Sequence, residues 1–179
     1  MKKIKSYLPL ITLVLVAAAA SLAVYKSNIK QNLGKENFAN QPFFTENKEI
    51  RGLFNENEAL TAEDFINDEG RYSVVNIFAS WCSTCLTEHE ALFEIAKNES
   101  LNLYGIAWND YSENAKNYLQ KFGNPYHKVA LDSKGKLNKL LGVAAVPETF
   151  LINPDGIIIY RHQGAIKNST IKKLLKARK

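Results

Sequence analysis

The longest uninterrupted stretch without a charge runs from Ser6 to Tyr25, directly behind a start that carries Lys2, Lys3 and Lys5. As a helix, Leu8 to Tyr25 would reach roughly 27 Å, about the thickness of the hydrocarbon layer of a bilayer. A terminal segment apolar on every side does not suit a buried helix of a soluble domain. Lysines ahead of it hold that end in the cytoplasm and send the rest outward. A cleaved signal peptide competes with this reading, with Ala18-Ala19-Ala20 or Ser21-Leu22-Ala23 as peptidase sites, but the run exceeds an ordinary h-region and favours an uncleaved anchor over residues 1–26. Both readings export the remainder of the chain. Residues 27–41 are polar, rich in Asn, Lys and Gln, and lack a period, which predicts a tether.

From Pro42 the pattern is that of a folded domain, residues 42–179. "PFFTENKEIRGLFNENEALTAEDF" sets apolar pairs between turn-forming clusters and predicts a short hairpin, and Thr61 with Asp64 predicts a short helix through Asn67. "YSVVNIFA", from Tyr72, is apolar on nearly every position and predicts a central buried strand. The helix after it carries Leu86, Leu92, Phe93, Ile95 and Ala96, with Glu88, Glu90 and Glu94 interleaved. "LNLYGIAW" is a second strand. "SENAKNYLQKFG" is a helix with Ser112 as its N-cap and Gly123 past its end. "HKVALD" is a third strand and "GKLNKLLG" a short helix closed by Gly142. "ETFLIN", the turn Pro154-Asp155-Gly156 and "IIIYRH" form a hairpin, and Asn168 or Ser169 caps a last helix. The order β-α-β-α-β-α-β-β-α predicts an α/β mixed sheet with helices on both faces.

Charge changes the picture once it is located. The 179-residue chain has a net charge of +5, yet five of its 23 basic residues lie in Met1–Lys30, which has no acid. The remainder holds 18 basic against 18 acidic residues. A nucleic-acid footprint needs a basic patch on the folded part, and the terminal "IKKLLKARK" reads as the solvated face of a helix, so no nucleic-acid partner is expected.

The only cysteines, Cys82 and Cys85, stand in "NIFASWCSTCLTEHE". As a staple the pair would achieve little, because so short a loop contributes little entropic stabilisation. As a zinc site it needs two more ligands, and His89, His127 and His162 show no metal spacing. His89 falls on the same helix face but about 10 Å along the axis, where it reads as a surface or packing residue. A working dithiol remains, needing neither metal nor cofactor. Cys82 lies where a strand turns into a helix, where unpaired N–H groups and the dipole favour a thiolate. It would be the exposed attacker, and Cys85, one turn further inside, the resolving thiol and disulfide partner. Trp81 reads either as a half-buried aromatic at the strand end or as a surface that faces substrate. In "GVAAVPETFLIN", spacing alone makes Pro147 a strand-start residue.

"WCSTC" followed about sixty residues later by "GVAAVPETFLI" resembles the thioredoxin superfamily. With "WCSTCLTEH", "YGIAWND", "FGNPYHKVALD" and "PETFLIN" it is similar, within that superfamily, to the membrane-anchored thiol:disulfide interchange proteins of cytochrome c maturation, the CcmG/DsbE group. The similarity covers about Tyr72 to Gly164. It implies a thioredoxin-like domain behind one transmembrane helix, in the inner membrane and on its periplasmic side. By the same resemblance Pro147 would be a cis-proline facing the dithiol, and Glu88 and Glu148 acidic groups near it. A membrane thiol-electron transporter would be the donor, and apocytochrome c or a maturation protein the acceptor. The position six before Cys82, often a buried Asp in general thioredoxins, is Asn76, which cannot handle protons. Segment Pro42 to Asn67 departs from the group's usual opening. Carboxylates near Cys82 oppose its thiolate and favour a reductant over an oxidant. The alternatives are a general extracytoplasmic disulfide reductase or oxidase not dedicated to cytochromes, and a binding module of the same fold.

Overall fold

The computed structural model describes residues 17, 20–21, 40–44, 48–67 and 69–177. The expected anchor and tether fall mostly outside them, and among the described residues no helix is long and apolar enough to cross a membrane. The chain divides into Met1–Asn37 and Phe38–Lys179. In the first unit the Ser21 hydroxyl donates to the Ala17 carbonyl at 2.8 Å, one helical turn back. The second unit carries the chemistry.

Its centre is a five-stranded sheet in the order β3-β2-β1-β4-β5. Strand β1 (Tyr72–Phe78) runs parallel to β2 (Leu101–Trp108), and β2 runs parallel to β3 (Lys128–Asp132). On its other side β1 pairs antiparallel with β4 (Glu148–Ile152), which turns through Gly156 (φ 77°) into β5 (Ile158–Gln163). The apolar residues on nearly every position of β1, with Ser73 and Asn76 also buried, suit a strand covered on both faces. Alternation sends Val74 and Phe78 to one face and Val75 and Ile77 to the other.

On the first face lie α1 (Ser83–Thr87), α2 (His89–Ala96), α3 (Ser112–Phe122) and α5 (Asn168–Ala177), which contribute Cys85, Leu92, Ile95, Tyr118, Leu119 and Leu174 to that core. On the second face α4 (Leu137–Leu141) packs with Phe43, Phe44, Ile50, Leu60 and Phe65. The expected mixed sheet with helices on both faces is present.

Several local expectations are corrected. The helix expected after the cysteines is two pieces that meet at Glu88, whose side chain turns into the core. Leu86, expected on the apolar side, is exposed. Helix α3 starts one residue earlier than a Ser112 cap would place it: Tyr111 is the N-cap, without a side-chain cap, and Asp110 accepts the Tyr111 N–H instead. Helix α5 already includes Asn168, and Thr170 Oγ1 accepts the Lys167 N–H ahead of it.

The segment after Pro42 is not a free-standing hairpin. Ile50 and Leu60 form a single antiparallel bridge, and residues 51–53 lie along the edge of β3, with Leu53 N–H donating to Val129 O and Leu131 N–H to Arg51 O, each at 2.8 Å. Such cover protects an edge strand from pairing elsewhere. The helix expected after Thr61 is a single 3₁₀ turn, Ala62–Asp64, with the Thr61 N–H held by the Asp64 carboxylate at 2.8 Å.

Candidate functional site

Strand β1 ends at Phe78, and the chain turns through Ala79, Ser80 and Trp81 to deliver Cys82 as the N-cap of α1. The turn is fixed from β2's side. Asp110, itself buried, accepts the Ser80 N–H at 2.6 Å and the Ser80 hydroxyl at 2.9 Å. The Trp81 Nε1–H donates to the Asn109 carbonyl at 3.1 Å, from a residue with φ of 50°. The indole edge is thus tied down, while the residue is 58% exposed. More than half of the residue is therefore open at the end of the strand, with its N–H bound to the backbone.

Cys82 and Cys85 are joined as a disulfide, with Cα atoms 5.3 Å apart. Cys82 Sγ accepts the Cys85 N–H at 3.0 Å. Because α1 has only five residues, its macrodipole is slight, and this single N–H is the specific stabilisation a thiolate at Cys82 would receive. Cys82 is less open than its expected role as exposed attacker: it is 7% exposed against 1% for Cys85. Part of its cover is the chain ahead of β4. The Val146–Pro147 bond is cis, and the Val146 carbonyl oxygen stands 3.7 Å from Cys82 Sγ. Pro147 is buried directly behind.

Behind the cysteines is a buried polar cluster. Glu88, three residues past Cys85, is fully buried on the dithiol face of the sheet. Its Oε1 accepts from Asn76 Nδ2 at 2.8 Å and its Oε2 from the Ile166 N–H at 2.7 Å. Burial pushes its carboxyl up to about 7, against the lowering pull of the Ile166 N–H and the Asn76 amide. Asn76 also donates to Thr149 Oγ1 at 3.1 Å and accepts the Tyr126 hydroxyl at 2.7 Å. Burial raises the Tyr126 phenol well above its ordinary value, with Glu88 adding to the rise. Tyr118 is pushed up to about 12 by the same two causes.

Glu148 differs from expectation. Thr149 faces Asn76, so alternation turns its neighbour Glu148 to the opposite face, beside Ile77 and Phe150. There it forms a close ion pair with Arg161 Nε. The guanidinium also lies 5.4 Å from the Phe150 ring centroid and donates to the Gly142 carbonyl at 3.1 Å. Burial raises the Glu148 carboxyl, while the bond and charge of Arg161 and a bond from Gln163 pull it down. Its charge is compensated by Arg161 on that face.

His89 is a packing residue. It is buried edge-on among Phe93, Tyr118 and Phe122, with Nε2 within 3.1 Å of the Phe122 and Gly123 carbonyls. Among the described residues no three His, Cys, Asp or Glu side chains converge to hold a metal. Sequence reasoning missed Tyr126, Thr149, Asp110 and Arg161. One signal was available: an asparagine inside an apolar strand must find partners for its whole amide.

Residues 50–177 match the family described as Redoxin. A thiol:disulfide interchange protein DsbE of Haemophilus influenzae is 37% identical over 129 residues, which cover 72% of this chain and 69% of that protein. The thiol:disulfide interchange protein CycY of Rhizobium leguminosarum is 40% identical over 104 residues, 58% of this chain. The chain spans 56% of that relative's length. A solved thioredoxin-like protein of Porphyromonas gingivalis superposes with a TM-score of 0.56 at 22% identity, over 73% of this chain and 86% of that one. At that identity the likeness shows the fold, a thioredoxin-like α/β mixed sheet.

Proposed function

The chain belongs to the redoxin family, and from that premise we propose that it is a thiol:disulfide oxidoreductase acting as a dithiol reductant in cytochrome c maturation. The observation that carries the chemistry is the Cys82–Cys85 pair at the end of β1, with the more open sulfur bonded by the Cys85 N–H and a buried carboxyl, Glu88, closing the short helix that carries Cys85. The reduced Cys82 thiolate attacks one sulfur of a substrate disulfide and releases the other as a thiolate, leaving a mixed disulfide. Cys85 gives its proton to Glu88, and its thiolate attacks Cys82 Sγ. The substrate's second sulfur leaves as a thiolate, and the Cys82–Cys85 disulfide forms. Two electrons have passed to the substrate. A carboxyl pushed up to about 7 by burial exchanges a proton readily at neutral pH.

The direction rests on Glu88. A buried carboxylate near the dithiol opposes a thiolate and therefore disfavours the reduced form, which makes the pair a better electron donor. Renewed reduction requires a donor, and the likeness to the DsbE and CycY proteins supports a membrane thiol-electron transporter in that place. It likewise supports apocytochrome c or a maturation protein as acceptor, with the domain held on the periplasmic side of the inner membrane by residues 1–26. The pairing of Glu148 with Arg161 favours the second reading, a general disulfide exchange protein, because it removes one of two charges that would make the dithiol reducing. A Cys85→Ser variant separates the two. It accumulates a mixed disulfide through Cys82 with cytochrome maturation proteins or apocytochrome under the first reading, and with unrelated secreted proteins under the second.

A further inference from the structure

Asn76 sits at the centre of β1 with no exposed surface, and its amide is bonded at both ends. The nitrogen donates to Glu88 and to Thr149, and the oxygen takes the Tyr126 hydroxyl. An amide can be reversed end for end, and reversal here would set its oxygen against the Glu88 carboxylate. The acceptor-only Glu88 carboxylate disfavours this, and the Tyr126 hydroxyl, donating to the amide oxygen, holds the other end in place. Tyr126 is itself placed with care. Its ring stacks on Phe78 at 5.4 Å between centroids and 16° between planes. It crosses β2 at Gly105, the residue that pairs with Asn76 in register. A Cβ on Gly105 would fall 2.7 Å from the Tyr126 ring. The glycine inside a buried strand, otherwise a weakness, opens the space through which the hydroxyl reaches Asn76.

We propose that Asn76, braced by the Tyr126 hydroxyl across the gap at Gly105, is the positioning residue that keeps Glu88 aimed and ready to take the Cys85 proton. The inference rests on the dithiol reading above and deepens it. The bonds on the Glu88 carboxyl come from neutral groups, the Asn76 amide and the Ile166 N–H. Facing it are Tyr118 from α3 and Tyr126 from the segment before β3, with Thr149 of β4 sharing the Asn76 amide and Cys85 three residues back on α1, the helix that Glu88 closes. The carboxylate's orientation depends on these two donors, and only Asn76 is a side chain.

The test is the pH profile of the resolving step in the full chain. The Cys82 mixed disulfide with glutathione is formed, and glutathione release by Cys85 is followed against pH. In the parent the rate should rise through a midpoint that Glu88→Gln abolishes. Asn76→Ala removes a donor from the carboxylate and should move that midpoint upward by about one to two pH units. Tyr126→Phe leaves Asn76 and Glu88 in place and should move it in the same direction by less. Tyr118→Phe, which touches Glu88's surroundings but not the Asn76 amide, should leave the midpoint where it is. If Asn76→Ala does not fold, Tyr126→Phe decides alone. A rate lowered evenly at all pH values, with the midpoint fixed in Asn76→Ala and Tyr126→Phe, would overturn the positioning role and leave the dithiol reading standing. Disulfide reduction by the parent that survives Cys82→Ser would overturn both.

Discussion

Glu88 and Glu148 are both buried glutamates close in sequence to the dithiol or to the cis peptide bond Val146–Pro147, and the fold treats them in opposite ways. Glu148 meets a guanidinium on the far face of the sheet. Glu88 meets two neutral N–H donors on the face that carries the cysteines. A buried charge with an ionic partner is a structural element whose removal leaves the partner uncompensated. A buried carboxyl with neutral donors alone is held near the point of protonation, which is where a proton acceptor is useful. Residue type and nearness in sequence to a reactive group are therefore insufficient to identify a redox-tuning acid. The face of the sheet and the identity of the partner decide.

The largest expected effect breaks the Glu148 side of the comparison. Arg161→Ala leaves a buried carboxylate without its cation and should destabilise the domain by about 3–5 kcal/mol. Chemical denaturation measures this, and a loss under about 1 kcal/mol would mean the pair is solvated and contributes little.

Next comes Glu88 itself. Burial raises its folded-state carboxyl from an ordinary 4.5 to about 7. Between those values the folded state holds a proton that the unfolded chain releases, so folding is favoured at the acid end and weakened as pH rises through about 7. The parent should lose roughly 3 kcal/mol from this group between pH 4.5 and pH 8. Glu88→Gln should lose none of that portion, which denaturation at a series of pH values would show as a flatter curve. A parent curve already flat would place Glu88 as an ordinary ionised carboxylate.

The legibility of each feature in the sequence depends on the range of the interaction behind it. The strands were legible because a stretch apolar on nearly every position, such as Val74 to Phe78 with Asn76 its one polar residue, is a local pattern. The cysteine pair was legible because its spacing is local too. Glu88 was singled out from the resemblance, but its burial was not, since a glutamate three places past a cysteine reads equally well as solvated. Its partners Asn76 and Ile166 lie 12 and 78 positions away. The break between α1 and α2 accompanies that inward turn and had no local signature. The misplacement of Glu148 had a different origin. Deciding its face required the register with β1, where it opposes Ile77, and a shift of one residue reverses every side chain of a strand.

The dithiol's potential offers a smaller but more specific effect. Glu88→Gln removes the charge that opposes a thiolate, so the reduced form gains and the reduction potential should move to less negative values by about 30 mV, the equivalent of roughly 1.4 kcal/mol for a two-electron couple. Equilibration with glutathione of known poise measures it. The parent potential should lie nearer that of a reducing thioredoxin than that of a strong periplasmic oxidase, and a parent value in the oxidase range would overturn the reductant reading.

The smallest expected effect is the one that isolates the comparison. Glu148→Gln alone is a poor probe, because it leaves Arg161 as an uncompensated buried cation that could itself attract a thiolate. Replacing both, Glu148→Met with Arg161→Met, removes two opposite charges together and leaves the net charge of that face unchanged. Apolar side chains of similar size in place of a buried ion pair are commonly neutral or stabilising, so the double variant should fold at least as stably as the parent, in contrast to Arg161→Ala. Its reduction potential should differ from the parent by less than about 10 mV, roughly a third of the shift expected from Glu88→Gln. A double variant with a shift as large as that of Glu88→Gln would show that the pair's field reaches the sulfurs through the sheet, and Glu148 would return to the set of residues that tune the dithiol.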